Sequence, residues 1–142
     1  MPSLPHVDVE LRVRYGETDQ MGIVYHAEYL VWCDMGRTEY IRRLGTSYAS
    51  LEQAGTLLAV AEANLRYHAP ARYDDMIRVE TTLSDVRSRA LTFEYLICLA
   101  GTGRRLVTAR TLMVVLDSNS RPVPLPREVR AMLERIPDGA VA

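Results

Sequence analysis

Hydrophobic and polar residues alternate almost without exception over residues 6–15. One face of this segment carries the side chains Val7, Val9, Leu11, Val13 and Tyr15. The other face carries His6, Asp8, Glu10, Arg12 and Arg14. A period of two residues places successive side chains on opposite faces of a strand. The pattern therefore predicts a β-strand with one buried face.

The spacing of apolar residues becomes helical between about residues 27 and 44. Positions three or four residues apart form a stripe made of Leu30, Cys33, Arg37, Tyr40, Ile41 and Leu44. Gly45 is a typical stop signal for a helix. The first half of the helix also carries Val31, Trp32 and Met35, so it is apolar on nearly every side. This predicts a helix that is enclosed by the rest of the fold.

A shorter helical segment, SYASLEQAG, follows and ends at Gly55. Four long segments of near-alternating hydrophobicity come next, at residues 57–69, 76–86, 90–100 and 104–117. Short turns separate them, which is typical of an antiparallel meander. Three prolines then exclude regular structure before a short C-terminal helix, REVRAMLERI, at residues 127–136.

The order of one strand, one long apolar helix and four strands predicts a single α+β domain over residues 1–142. An antiparallel sheet of five long strands has one face available for the helix at residues 27–44, so we expect the sheet to wrap around that helix. Such a sheet leaves an edge and one face uncovered. Self-association is therefore expected.

Composition and charge restrict the possible functions. The formal net charge of −1 gives no electrostatic basis for binding nucleic acid or an anionic membrane, although all 17 basic residues are arginine. The N-terminus does not resemble a signal peptide, and no apolar stretch approaches the ~20 residues of a membrane span, so we expect a cytoplasmic protein. Cys33 and Cys98 are expected to be reduced and buried. The three histidines lack metal-ligand spacing, so no metal site is predicted.

The segment RYGETDQMGIVYHAEYL, at residues 14–30, carries the candidate chemistry. Asp19 precedes an apolar run, Gly22 permits a close backbone approach, and the helix that begins near His26 offers unpaired N–H groups at its positive end. Such amides polarise a carbonyl and hold a developing oxyanion, while a carboxylate attacks or activates water. Acyl transfer is one interpretation of this pattern. The alternative is that Asp19 only forms a turn or a helix entry.

Two blocks of sequence connect this interpretation to a family. The block YGETDQMGIVYHAEYLVWCDMGRTEYIRRLG resembles the N-terminal signature of the hotdog-fold acyl-CoA thioesterases of the 4-hydroxybenzoyl-CoA thioesterase type. That signature is T/C-D-x-x-G-I/V-V, then Y-H-A-x-Y and a long central helix. The block LRYHAPARYDDMIRVETTL, at residues 65–83, is similar to the family's Y-x-x-P-A-x-x-D-D-x-I/L segment, and RPVPLPREVRAML, at residues 121–133, is similar to its usual ending. The resemblance covers nearly the whole chain.

The resemblance implies a hotdog fold, in which a five-stranded antiparallel sheet wraps around a long central helix, and hydrolysis of an acyl-CoA thioester to a free acid and coenzyme A. It places the catalytic aspartate at Asp19. It places the backbone N–H that polarises the thioester carbonyl at His26, whose side chain is thought to assist in one branch of the family. It also implies a homodimer or homotetramer with active sites between joined subunits, and no metal or redox cofactor.

Five further residues have candidate roles. Tyr25 is a candidate for lining an acyl pocket, although an aromatic residue at the start of a central helix is also typical of a plain core. Arg87 and Arg89, in the turn before the fourth strand, are candidates for binding the phosphates of coenzyme A, with solvated surface arginines as the alternative. Glu17 is assigned a surface or structural role. His68 is assigned to solvated structure rather than to substrate lining.

Two other functions stay open beside thioester hydrolysis. One is a non-catalytic acyl-group binding module on the same fold, although such a module has no need for a carboxylate at Asp19. The other is a hotdog dehydratase or hydratase, which uses a histidine–aspartate pair in a different place. The sequence contains no such motif. It also leaves open the acyl chain and whether the donor is coenzyme A or acyl-carrier protein.

Overall fold

The computed structural model of the protein describes residues 4–142. The chain runs through β1 (Val7–Arg12), a 3₁₀ turn (Tyr15–Glu17), α1 (Glu28–Arg42), α2 (Tyr48–Gln53), β2 (Leu57–Tyr67), β3 (Met76–Val86), β4 (Ala90–Leu99), β5 (Arg105–Leu116) and α3 (Arg127–Leu133). Every helix and strand that the sequence predicts is present, close to its predicted bounds. Across residues 4–142, none of the helices is long and apolar enough to cross a membrane.

The five strands form one antiparallel sheet in the order β1-β3-β4-β5-β2. The predicted α+β hotdog architecture is confirmed, because α1 packs on this sheet and contacts β1, β3 and β4. Strands β1 and β2 form the two edges. Since β2 and β3 run in opposite directions, the end of β2 at Tyr67 and the start of β3 at Met76 lie at the same end of the sheet. That end carries the candidate site.

A glycine lets α1 approach the sheet closely. The buried face of the helix contains Tyr29, Trp32, Cys33, Gly36, Tyr40 and Ile41. A Cβ atom added at Gly36 would overlap the Thr81 hydroxyl of β3 and lie 3.0 Å from Cγ1 of Val79. A larger residue at this position would therefore push α1 away from β3.

The prediction that α1 is enclosed on nearly every side is wrong. Tyr29 and Trp32 are buried, but Leu30, Val31 and Met35 are 41%, 50% and 41% exposed. The sheet packs against one side of the helix only, and neighbouring positions on a helix point in different directions. An apolar strip on α1 is consequently left at the surface of the protomer.

The first strand is shorter than the alternation of residues predicts. Regular pairing with β3 ends at Arg12, and the chain then turns through the 3₁₀ segment. Tyr15, which the alternation places on the buried face, is 78% exposed. The period-two pattern thus continues beyond the end of the strand. Where the backbone turns, it no longer indicates which side chains are buried.

Both cysteines are free and buried, as predicted. Burial raises the pKa of the Cys33 thiol to about 12, so the thiol stays protonated at neutral pH. Cys98 is buried in β4, and burial raises the pKa of its thiol as well. Neither thiol has the low pKa and exposure of a reactive cysteine.

Candidate active site

Asp19 lies in a tight loop between Thr18 and Val24. The Asp19 N–H donates to the Ile23 carbonyl at 2.9 Å, and the Gly22 N–H donates to the Asp19 carbonyl at 3.0 Å. Gly22 has a φ of 77°, a conformation that favours glycine, so the glycine of the motif is required by the turn. The loop therefore fixes the backbone on both sides of Asp19.

The Asp19 carboxylate is half-buried and only partly bonded. Its Oδ1 accepts a hydrogen bond from the Met21 N–H at 2.8 Å. Within residues 4–142, no donor contacts the second oxygen. One oxygen thus holds the side chain in place, and the other remains available to a substrate or a water molecule.

The start of α1 presents a backbone donor near this carboxylate. The His26 N–H has no acceptor among the described residues. It belongs to the same amide as the Tyr25 carbonyl, which accepts the Glu28 N–H at 2.9 Å. That bond and the positive end of the helix both make the His26 N–H a stronger donor. The helix N-cap is Ala27, whose side chain offers no capping hydrogen bond.

A cavity of roughly 340 Å³ is lined by both Asp19 and His26. It lies between the Asp19 loop, the start of α1 and the end of β2. Its walls are Asp19, Met21, Ile23, Val24, His26, Tyr29, Tyr67, His68, Ala69 and Pro70. Most of these side chains are apolar, so the cavity suits an acyl group and strengthens electrostatic interactions at Asp19.

Tyr25 does not line this cavity in the protomer. Its ring is 47% exposed and packs on the ring of His26, with centroids 4.5 Å apart. Tyr29 occupies the wall instead, because it comes one helical turn later on the buried face of α1. Its hydroxyl accepts the Ala71 N–H at 3.1 Å, and burial raises its pKa.

Two residues at the end of β2 join the site although no catalytic or binding role was predicted for them. Tyr67 donates its hydroxyl to the His26 carbonyl at 2.8 Å. His68 is exposed, as predicted, yet it also lines the cavity and pairs with the Thr108 hydroxyl at 2.9 Å. Desolvation and the charges of Arg105 and Arg66 lower the pKa of His68, so it is neutral at neutral pH. The signal available in the sequence was the second family block, at residues 65–83, which contains both residues.

Glu17 has a structural position, and it is not at the surface. It is 4% exposed. One carboxylate oxygen accepts the indole N–H of Trp32 at 2.9 Å, and the other accepts the Arg14 N–H at 2.8 Å. Both oxygens are therefore occupied within the protein.

Arg87 and Arg89 lie at the opposite end of the sheet from Asp19. They follow β3, whose 11 residues separate them from the site by about 33 Å. Arg87 pairs with Asp85 at 2.8 Å. The structure thus does not bring this pair together with Asp19 inside one protomer. A second groove, lined by arginines that include Arg66 and Arg105, shares His68 with the cavity.

One group of side chains has the composition of a metal site. His6, Asp8 and Glu80 are the group of this kind found within residues 4–142. The His6 Nδ1 faces Asp8 at 2.5 Å, whereas its Nε2 faces Glu80 at 3.8 Å. The two carboxylates therefore approach opposite nitrogens of one ring, and Glu80 is also bonded to Arg78 at 3.0 Å. This arrangement fits an ion-pair cluster better than a shared metal.

The chain is similar in sequence and fold to known proteins. The sequence model of the Thioesterase-like superfamily matches residues 13–133. The chain is 34% identical over 122 residues to the acyl-CoA thioester hydrolase YbgC of Escherichia coli O6:H1, a match that covers 85% of this chain and 90% of YbgC. It is 44% identical over 86 residues to YneP of Bacillus subtilis, which is 61% of this chain and 62% of YneP.

A solved structure shares the fold. DHNA-CoA thioesterase from Staphylococcus aureus superposes with a TM-score of 0.84 at 28% identity, covering 91% of this chain and 87% of that chain. From the family match and these relatives, we conclude that the chain belongs to the thioesterase-like superfamily.

Proposed function

We propose that the protein hydrolyses acyl-CoA thioesters to a free acid and coenzyme A. The observation that carries this proposal is that one largely apolar cavity is lined by Asp19, a half-buried carboxylate with one oxygen unbonded, and by His26, whose backbone N–H has no acceptor among the described residues. Relatives such as YbgC, named an acyl-CoA thioester hydrolase, support the same reaction.

The reaction needs only these two groups and water. The His26 N–H polarises the thioester carbonyl and stabilises the oxyanion that forms when a nucleophile adds to the carbonyl carbon. In one route, Asp19 takes a proton from water, the hydroxide oxygen adds, and the C–S bond breaks to release the thiolate, which is then protonated. In the other route, Asp19 itself adds and expels the thiolate, and water then hydrolyses the resulting anhydride.

The proposal is tested by a panel of acyl-CoA substrates. Free thiol release is measured with a thiol-reactive dye for short, long and aromatic acyl groups, in the presence of a chelator. We expect turnover of at least one class without added metal. Binding of acyl-CoA without release of thiol would favour the non-catalytic module, and addition of water to an enoyl-CoA would favour a hydratase.

The oligomer is the second part of the proposal. We expect the free edge of β2 to pair with β2 of a second copy about a two-fold axis perpendicular to the sheet. This pairing is antiparallel, so the two sheets point in opposite directions. The end of the second sheet that carries the partner's Arg87 and the partner's Arg89 then lies beside the end of the first sheet that carries Asp19. These arginines then reach the phosphates of coenzyme A across the interface.

Light scattering at micromolar concentration is expected to report a dimer or a tetramer.

Replacing Arg87 and Arg89 together by alanine should raise the KM for acyl-CoA about tenfold or more, because charge-assisted bonds to phosphate are lost. Replacing Arg66 and Arg105 by alanine, with the KM for acyl-CoA measured again, tests whether the groove beside His68 binds the phosphates instead. A stable, active monomer would contradict both the interface and the role of Arg87.

A further inference from the structure

We propose that Tyr67 is a positioning residue that holds the backbone donors at the start of α1 for catalysis. This inference rests on the proposed thioesterase function and adds a residue to its site. The Tyr67 hydroxyl donates to the His26 carbonyl at 2.8 Å, across 41 positions of sequence. This bond ties the end of β2 to the segment that begins α1.

The carbonyl that Tyr67 contacts belongs to the peptide unit between His26 and Ala27. This unit therefore contains the Ala27 N–H, and its orientation also limits the rotation of the preceding amide, which contains the His26 N–H. Neither N–H has an acceptor among the described residues. A hydrogen bond to a carbonyl polarises the N–H of the same amide. Tyr67 thus fixes the direction of both donors and strengthens the donor at Ala27.

The beginning of α1 has need of such an anchor. Helices usually begin at a serine, threonine, aspartate or asparagine whose side chain bonds the first N–H groups. Here the N-cap is Ala27, which makes no side-chain bond. A polar side chain at this position would bond N–H groups of the first helical turn, such as that of Tyr29. Tyr67 instead anchors the segment just before the helix through a carbonyl, and the His26 and Ala27 N–H groups keep no acceptor among the described residues.

The position of Tyr67 separates this role from ordinary core packing. Tyr67 is 49% exposed and lines the cavity. Its hydroxyl could therefore bond to water, and burial does not force it to find a partner in the protein. Its ring packs edge-on against Tyr29, with centroids 5.6 Å apart. Replacing tyrosine by phenylalanine keeps this ring contact and the shape of the wall. It removes only the bond to His26.

The test is Tyr67→Phe, with Tyr73→Phe as the matched control. Tyr73 is a similarly exposed tyrosine, 58% against 49%, and its ring packs edge-on against Tyr15 outside the cavity. We expect Tyr67→Phe to lower kcat about threefold to tenfold, with KM and the melting temperature nearly unchanged. Tyr73→Phe should change none of these quantities. A purely structural role would lower stability and leave kcat per folded molecule intact.

A second readout does not depend on activity. In amide NMR spectra, Tyr67→Phe should shift the Ala27 N–H signal strongly, whereas Tyr73→Phe should leave it in place. An unchanged kcat together with an unchanged Ala27 signal would overturn the inference. A loss above about a thousandfold would also overturn it, because the hydroxyl would then be a reacting group. If the wild-type protein releases no thiol, the proposed function fails, and the Ala27 signal still decides whether the anchor exists.

Discussion

Glu17 and Asp19 are two carboxylates two residues apart, and the structure gives them different tasks. Glu17 is buried, and both of its oxygens are bonded to donors of the protein. Asp19 is half-buried, and one oxygen is held by the Met21 N–H while the other is free in an apolar cavity. An acid with every oxygen bonded is part of the framework. An acid with one free oxygen can act on a substrate.

The two acids also depend on each other. Glu17 connects the 3₁₀ turn to α1 through the indole of Trp32, and its backbone carbonyl accepts the Tyr25 N–H at 2.8 Å. The bond between the Glu17 carbonyl and the Tyr25 N–H closes the loop that carries Asp19. Glu17 therefore helps to hold that loop beside the start of α1. A comparison of substitutions at the two positions separates framework from chemistry.

Asp19→Asn is expected to have the largest effect. The change is nearly isosteric, and the amide oxygen can still accept the Met21 N–H, so the fold and the oligomer should persist. Turnover of acyl-CoA should fall by at least about 10²-fold, because an amide neither attacks a thioester nor takes a proton from water. Thiol release, measured beside the melting temperature, checks both statements. Near-normal turnover would remove Asp19 from the mechanism.

Glu17→Gln is expected to lower stability more than chemistry. A glutamine offers one oxygen where two N–H donors, those of Trp32 and Arg14, need an acceptor. Leaving a buried donor without a partner should cost about 1–3 kcal/mol in the free energy of unfolding. Denaturant unfolding checks this, and kcat per folded molecule should fall less than in Asp19→Asn. A larger loss of kcat at Glu17 than at Asp19 would reverse the assignment of the two acids.

The sequence predicted the order of elements, because alternation and turn signals are local properties. It also predicted catalytic roles for Asp19 and His26, which stay predictions. The predicted stripe of α1 was only partly right, because Cys33, Tyr40 and Ile41 are buried whereas Leu30 is 41% exposed. Apolar residues surround the first half of that helix, so periodicity does not distinguish the side of Leu30 from the side of Tyr29. A glycine inside the helix, Gly36, was the available signal of close approach. Tyr25 was therefore proposed as pocket lining where Tyr29 is found.

The role of Glu17 was only half predicted for a similar reason. A carboxylate is exposed in most proteins, and its burial depends on partners that are distant in the sequence. Trp32 needs an acceptor for its indole N–H when it is buried, and Glu17 supplies it. Arg87 and Arg89 depend on a contact between subunits. Their role in binding phosphate therefore stays a prediction.

The smallest effect is expected for His26→Ala, which tests whether the Asp19 carboxylate works with the backbone amide or with the imidazole of His26. The proposed donor is the backbone N–H, and no side-chain substitution removes it. The imidazole is exposed and packs on Tyr25, outside any hydrogen bond among the described residues. We therefore expect a loss of at most about tenfold in kcat, from imperfect positioning.

A proton carrier at this position would instead cost about 10²–10⁴-fold, and its removal would abolish an inflection of the pH–rate profile near neutral pH. Full profiles of both proteins on one acyl-CoA decide between these outcomes, and a hundredfold loss with a vanished inflection would show that the carboxylate shares its proton chemistry with the histidine.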